Sequence, residues 1–214
     1  VAPRTPRRSP LAVQILLLLA ERPMHAYRMQ RMIRDRRKDR IVNIAQRNSV
    51  YQTLDRLLRA ELVEVADRER AAGRPERTVY RLTEPGRGTL DTWLREMLTA
   101  PAREFPEFPV ALASLAHLAP EAAAGYLELR CEALRERIGE ADADAGHAGA
   151  MGLPRLFTLE DEYQRALAET ELRWVEGLVD DLRSGRLTWD AAWLEEVATR
   201  LEPEDSGPEA PGAD

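Results

Sequence analysis

Residues 47–65 read RNSVYQTLDRLLRAELVEV. Asn48 and Ser49 at its start are good helix N-caps. Val50, Leu54, Leu57 and Leu58 follow at i, i+4, i+7 and i+8, which places one apolar stripe on a helix. The opposite face carries Ser49, Tyr51, Gln52, Asp55, Arg56 and Arg59, side chains able to hydrogen-bond bases and phosphates. Two short β-branched runs come next, Leu62 to Val65 and Thr78 to Leu82, flanking an Arg-rich tip that contains Gly73 and Pro75. A helix feeding a β-hairpin is the pattern of a winged helix-turn-helix. Such a helix can lie in the major groove of DNA while the hairpin reaches along the backbone. The same patterning also makes an ordinary solvated face, so it fixes fold class before function.

Charge carries the reading further. The net charge of −6 opposes a nucleic-acid partner until the chain is divided. Residues 1–90 hold 20 Lys and Arg against 10 Asp and Glu, whereas residues 91–214 hold 11 against 27. A basic front half bearing the helix and hairpin has the electrostatic footprint of a DNA reader, because each neutralised phosphate releases counterions. DNA would repel the acidic rear half. Lys38 is the only lysine. Arginine suits bidentate contact with phosphate or guanine, although codon bias in a GC-rich genome explains the preference equally well.

Other classes fall away. A single cysteine, Cys131, excludes an intramolecular disulfide and fits a reducing compartment. The apolar run LAVQILLLLA is too short to span a bilayer, and no small-residue cleavage site follows it at signal-peptide spacing. A cytoplasmic protein without a membrane partner is expected. There is no Gly-rich phosphate loop, no His/Cys cluster and no paired nucleophile and base, so neither enzyme chemistry, a cofactor nor a metal is expected.

Working outward, residues 1–10 are expected as a disordered basic arm and residues 11–100 as the winged domain. Leu11 to Ala20 is apolar nearly all round and so belongs to a buried helix, packed within the domain or across a subunit interface. His25 to Ile33 restarts a helix with Ala26, Met29 and Ile33 inward and His25 at its start, where it caps or packs. The run RDRRKDR over 34–40 reads either as a solvated loop or as a phosphate contact. Thr83 caps the next helix, on which Leu90, Trp93, Leu94, Met97 and Leu98 form the apolar face.

By this point HAY at 25–27, SVYQTLDRLLRAELVE at 49–64, GRPERTVYRLT at 73–83 and the Trp93-bearing helix resemble the PadR-like family of bacterial transcriptional regulators. The resemblance covers residues 11–98 and departs from the family's pattern at several positions. HAY replaces HGY, Gln52 stands where a proline usually follows the tyrosine, Glu61 replaces a usual glycine, and Pro85 a usual lysine. It implies a homodimeric DNA-binding regulator, mostly a repressor, that a small phenolic or hydrophobic effector releases from double-stranded operator DNA. On this reading Asn48, Ser49, Tyr51, Gln52 and Arg56 meet base edges or adjacent phosphates, and Arg68, Arg70, Arg74 and Arg77 of the wing hold the backbone.

Residues 101–201 are expected as a helical dimerisation and effector domain. A Pro-punctuated linker and a short helix occupy 104–118. A long helix from Pro120 carries Ala123, Leu127, Cys131, Leu134 and Ile138 on a coiled-coil-like seam. The small-residue stretch 139–152 reads as a Gly-rich loop. A second long helix from near Leu156 carries Leu159, Tyr163, Leu167, Thr170, Trp174, Leu178 and Leu182 on one face, and Trp189 to Leu201 forms a shorter one. Residues 202–214 read as a disordered acidic tail.

The fold expected is thus mainly α, three helices plus a two-stranded β-wing joined to long antiparallel helices. Such a pair leaves one face unsatisfied in a monomer. Leu127, Leu134, Ile138, Leu167, Trp174 and Leu178 are the candidate dimer contacts. Trp93, Met97, Phe105, Phe108, Tyr126, Tyr163 and Trp174 could line an effector cavity between the two domains, although ordinary core explains most of them. A winged-helix protein-interaction module that binds no DNA is the alternative.

Overall fold

The structure, a computed structural model, describes residues 8–44, 46, 48–69 and 77–201, the side chains of residues 68, 69 and 77 excepted. The chain divides into two compact units between Glu104 and Phe105. The acidic tail expected at 202–214, and most of the basic arm expected at 1–10, lie outside the described residues.

The first unit contains α1 (Pro10–Glu21), β1 (Met24–His25), α2 (Ala26–Asp35), α3 (Ser49–Arg59), β2 (Val63–Glu69), β3 (Arg77–Leu82) and α4 (Glu84–Thr99). Helix α1 starts where Ser9 Oγ accepts from the Ala12 N–H at 3.2 Å, and its Ile15, Leu16 and Leu18 are fully buried. Those three join Met29 and Ile33 of α2, Val50, Leu54 and Leu57 of α3, Val63 of β2, and Leu90 and Trp93 of α4 in one core. The nearly all-round apolar character of α1 is therefore spent within the first unit. An eleven-residue helix such as α3 is marginal alone. Burying each large apolar side chain contributes roughly 2 kcal/mol, so its stripe holds it in place.

The sheet has three antiparallel strands in the order β1-β3-β2, where the sequence led us to expect two. Met24 pairs with Tyr80 and His25 with Val79, so the edge of β3 left open by β2 is closed by a two-residue strand just ahead of α2. His25 then caps α2, its Nδ1 accepting from the Arg28 N–H at 3.1 Å. Asn48 makes no side-chain cap on α3; instead the Ser49 hydroxyl donates to the Gln46 carbonyl at 2.9 Å.

Helix α3 ends in a Schellman turn. The Leu62 N–H donates to the Leu57 carbonyl, the Glu61 N–H to the Leu58 carbonyl, and Glu61 sits at φ 59°. This left-handed position is the one where the resemblance expects glycine. Leu57 and Leu62, the apolar pair that closes such a turn, are both buried. Thr83 then locks the start of α4 onto it. Its hydroxyl donates to the Glu61 carbonyl at 2.7 Å and accepts from the Gly86 N–H at 3.1 Å, while its own N–H donates to the Leu62 carbonyl. A Cβ on Gly86 would overlap that Leu62 oxygen.

The second unit contains α5 (Glu107–Ala113), α6 (Pro120–Ala150), α7 (Leu159–Arg183) and α8 (Ala191–Leu201). Helix α6 runs straight through residues 139–150, where the glycines predict a loop, and corrects that expectation. Residues 141–150 hold five alanines, the best helix formers, which outweigh the scattered glycines. Arg165 of α7 also donates to Asp142 at 2.6 Å, tying the extension down. The helix stops at Gly152, φ 66°, in a second Schellman turn, with the Leu153 N–H on the Ala148 carbonyl. The expected second helix near Leu156 begins as a single 3₁₀ turn, Arg155–Phe157, before α7.

Helices α6 and α7 are antiparallel. Ala123, Ala124, Leu127, Cys131, Val175 and Leu182 are buried between them, and Arg130–Glu171, Arg135–Glu176 and Arg183–Glu128 bridge the seam. The Arg183 guanidinium holds the Glu128 carboxyl below its ordinary range by hydrogen bonding. Trp189 Nε1 donates to the Leu118 carbonyl at 2.9 Å and anchors the lead into α8.

Two substitutions test the junction after α3. Gly86→Ala should destabilise by about 3 kcal/mol, because the methyl group meets main chain that cannot move alone. Glu61→Gly should stabilise by about 1 kcal/mol by removing left-handed strain. Thermal or urea denaturation measures both; an unchanged midpoint for Gly86→Ala would contradict the close approach.

Candidate nucleic-acid interface

Helical periodicity sorts the residues of α3. Val50, Thr53, Leu54 and Leu57 are buried. At 100° per residue, positions 48, 52, 55 and 59 fall on the opposite side. Gln52, Asp55, Arg56 and Arg59 are all exposed, as is Tyr51 at 46%. Tyr51 flanks the outer row on one side, and Ser49 and Arg56 flank it on the other. The structure thus brings Asn48, Ser49, Tyr51, Gln52 and Arg56 to one accessible helix surface. It adds Asp55 and Arg59, which the polar face had included but the expected contacts had not. A helical wheel alone finds both.

One buried polar group orients this surface. Thr53 is only 2% exposed. Its hydroxyl donates to the Ser49 carbonyl at 2.8 Å and accepts from Arg56 Nη2 at 3.1 Å. The Arg56 guanidinium is thereby held along the helix and keeps most of its five donors free for a ligand. Arg59 Nε donates to the Asp55 main-chain oxygen at 3.2 Å. These residues, with Ser9 and Leu11 at the start of α1, line an open groove of about 440 Å³.

The wing is partly in view. Arg68 of β2 is opposite Thr78 of β3, and Arg77 is opposite Glu69. Arg70 and Arg74, and the side chains of Arg68 and Arg77, lie outside the described residues. A β-irregularity between Val65 and Asp67 shifts the pairing. Arg81 Nε donates to Glu64 across the strands at 2.6 Å. Tyr80 is half-buried; burial first, then the nearby Asp55 carboxylate, raises its phenol above the ordinary value.

The 34–40 run is not a uniform charged loop. Arg36 donates to Glu21 through both terminal guanidinium nitrogens, clasping the end of α1 to the end of α2, and this hydrogen bonding lowers the Glu21 carboxyl below its ordinary range. Arg37 adopts φ 55° and leads into a 3₁₀ turn, Lys38–Arg40.

The expected effector and dimer residues scatter. Trp93 is committed to the core of the first unit, while Met97 is exposed on the same helix. Phe105, Tyr126 and Tyr163 are exposed. Phe108 and Trp174 do meet, edge to face with centroids 6.4 Å apart, and the Arg130 guanidinium lies 3.5 Å over the Phe108 ring. Leu127 and Leu134 are buried within the second unit, and Ile138 and Leu178 are half-buried. Leu159, Tyr163, Leu167 and Trp174 (54% exposed) point away from α6, whereas Ala168, Val175 and Leu182 face inward. The apolar face read along α7 is therefore two faces: Leu182 lines the seam and Leu178 packs against it, while the other apolar members are exposed. Among the described residues no helix is long and apolar enough to cross a membrane, and no cluster of His, Cys, Asp or Glu could hold a metal.

Residues 15–92 match a family model described as the Transcriptional regulator PadR-like family. No curated protein matches significantly. Among solved structures, Bacillus subtilis PadR in complex with operator DNA aligns at TM-score 0.66 and 15% identity, covering 81% of this chain and 99% of that one. The same protein in complex with p-coumaric acid aligns at 0.61 and 15%, covering 83% and 99%. The Vibrio cholerae virulence activator AphA aligns at 0.61 and 19%, covering 81% and 98%. At such identities the likeness is one of fold.

Proposed function

From the premise that residues 15–92 form a winged helix of the PadR-like regulator family, we propose that this chain is a homodimeric transcriptional repressor. It acts by binding double-stranded operator DNA and performs no turnover. The single observation that carries the reading is the exposed polar face of α3, with Arg56 held by a buried threonine, in the half of the chain that has the positive charge. A recognition helix of this kind meets base edges near its N-terminus and phosphates at its flanks. Asn48, Ser49, Tyr51 and Gln52 have the first role. Arg56 and Arg59, with the wing arginines Arg68, Arg70, Arg74 and Arg77, have the second.

The second copy covers the outward stripe of α7, with Leu167 and Trp174 as its centre. Leu127 and Leu134 support that surface from behind, since they are used between α6 and α7. A twofold pair of recognition helices then meets two half-sites. A solved relative by fold is a complex with p-coumaric acid. A small phenolic or hydrophobic compound is the effector in this reading, and the Phe108–Trp174 contact is the aromatic site in the helical unit suited to it.

Fluorescence anisotropy on duplexes from the chain's own promoter should show affinity falling log-linearly with salt. Arg56→Ala and Arg59→Ala should each flatten the slope by about 1. No duplex binding at low salt would overturn the proposal. Sedimentation should show a dimer that Trp174→Asp converts to monomer while helicity is kept; a wild-type monomer at micromolar concentration would remove the dimer.

A further inference from the structure

The middle of the α3 surface carries a charge of the wrong sign for a polyanion. Asp55 is exposed on the outermost row, between Gln52 and Arg59. Among the described residues it holds no neighbouring cation. Arg59 Nε bonds the Asp55 main-chain oxygen, Arg56 Nη2 bonds Thr53, and among the described residues no ion pair engages the Asp55 carboxylate. Nor does it cap the helix, since it lies in the second turn, past the free N-terminal N–H groups. A carboxylate in that place weakens binding to every duplex by repelling phosphate, unless a donor meets it.

The chemistry of the major groove narrows that donor. Guanine presents only acceptors there, N7 and O6, and thymine presents the O4 acceptor beside a methyl group. Adenine offers N6–H₂ next to the N7 acceptor, a pair suited to an amide. Cytosine offers the N4–H₂ donor, and a carboxylate is acceptor-only. Gln52 precedes Asp55 by about 4.5 Å along the helix axis, comparable to the roughly 3.4 Å between base pairs. The two side chains can therefore address neighbouring steps.

We infer that Asp55 is a specificity-determining residue that demands a cytosine amino group at one position of each half-site and penalises every other base there. This rests on the DNA-binding reading above and names the sequence class that the site accepts.

The test is selection from a duplex library with a randomised core, at one salt concentration, for the wild type, Asp55→Ala and Asp55→Asn. Circular dichroism confirms that both variants fold. The wild type should enrich cytosine about tenfold at one half-site position. Asp55→Ala should lose that enrichment and bind random duplex at least as tightly as the wild type. Asp55→Asn should move the preference to adenine. Cytosine enrichment that persists in Asp55→Ala, or its absence from the wild type, overturns the role of Asp55 while leaving DNA binding intact. A wild type that selects no duplex overturns both.

Discussion

The close approach of Gly86 to the Leu62 carbonyl is the constraint around which the first unit is arranged. Three elements end or begin within a few residues of it. Helix α3 closes its Schellman turn at Glu61 and Leu62, β2 leaves from Val63, and α4 enters under the Thr83 cap. Main chain meets main chain there, with no side chain to act as a spacer. The direction of the wing relative to α3 therefore follows from backbone geometry. A helix presented to a groove must be aimed as well as formed, and this junction does the aiming. The left-handed Glu61 shows that the turn is kept even without the residue best suited to it.

Polar and charged groups divide into two kinds. Some are spent inside the molecule: Arg36 on Glu21, Arg81 on Glu64, and the arginine–carboxylate pairs between α6 and α7. Exposed pairs like these add little stability singly, but along a helix seam they set register. Others are left facing outward, above all on α3. Total charge is therefore a poor guide to this protein. The distribution between units, and between engaged and open arginines, decides what each surface can meet.

Much of this was legible in the residues. The stripe Val50, Leu54, Leu57, the strand runs, the Thr83 cap and the capping His25 follow from local rules, and each is present. Three features did not follow. The pairing of Met24 and His25 with β3 depends on a contact more than fifty residues away, and a two-residue strand has no periodicity to betray it. The helix across 139–150 was masked by its glycines; alanine content and the Asp142–Arg165 bond decide it. The apolar face of α7 looks single in the sequence because its members recur mostly every fourth residue; at 100° per residue that row turns by about 140° between Leu159 and Leu182, from the exposed side into the seam.

Local patterning was enough for the helices of the first unit, the two wing strands, the sign of charge in each half and the chemical identity of the α3 face, because these depend on neighbours a few residues apart. Tertiary structure alone decided which polar groups remain open to a ligand. Arg36 looked as available as Arg59, and Leu127 as available as Leu167, until distant partners claimed one of each pair. Availability depends on what else occupies the same space, and that is set when the chain closes on itself.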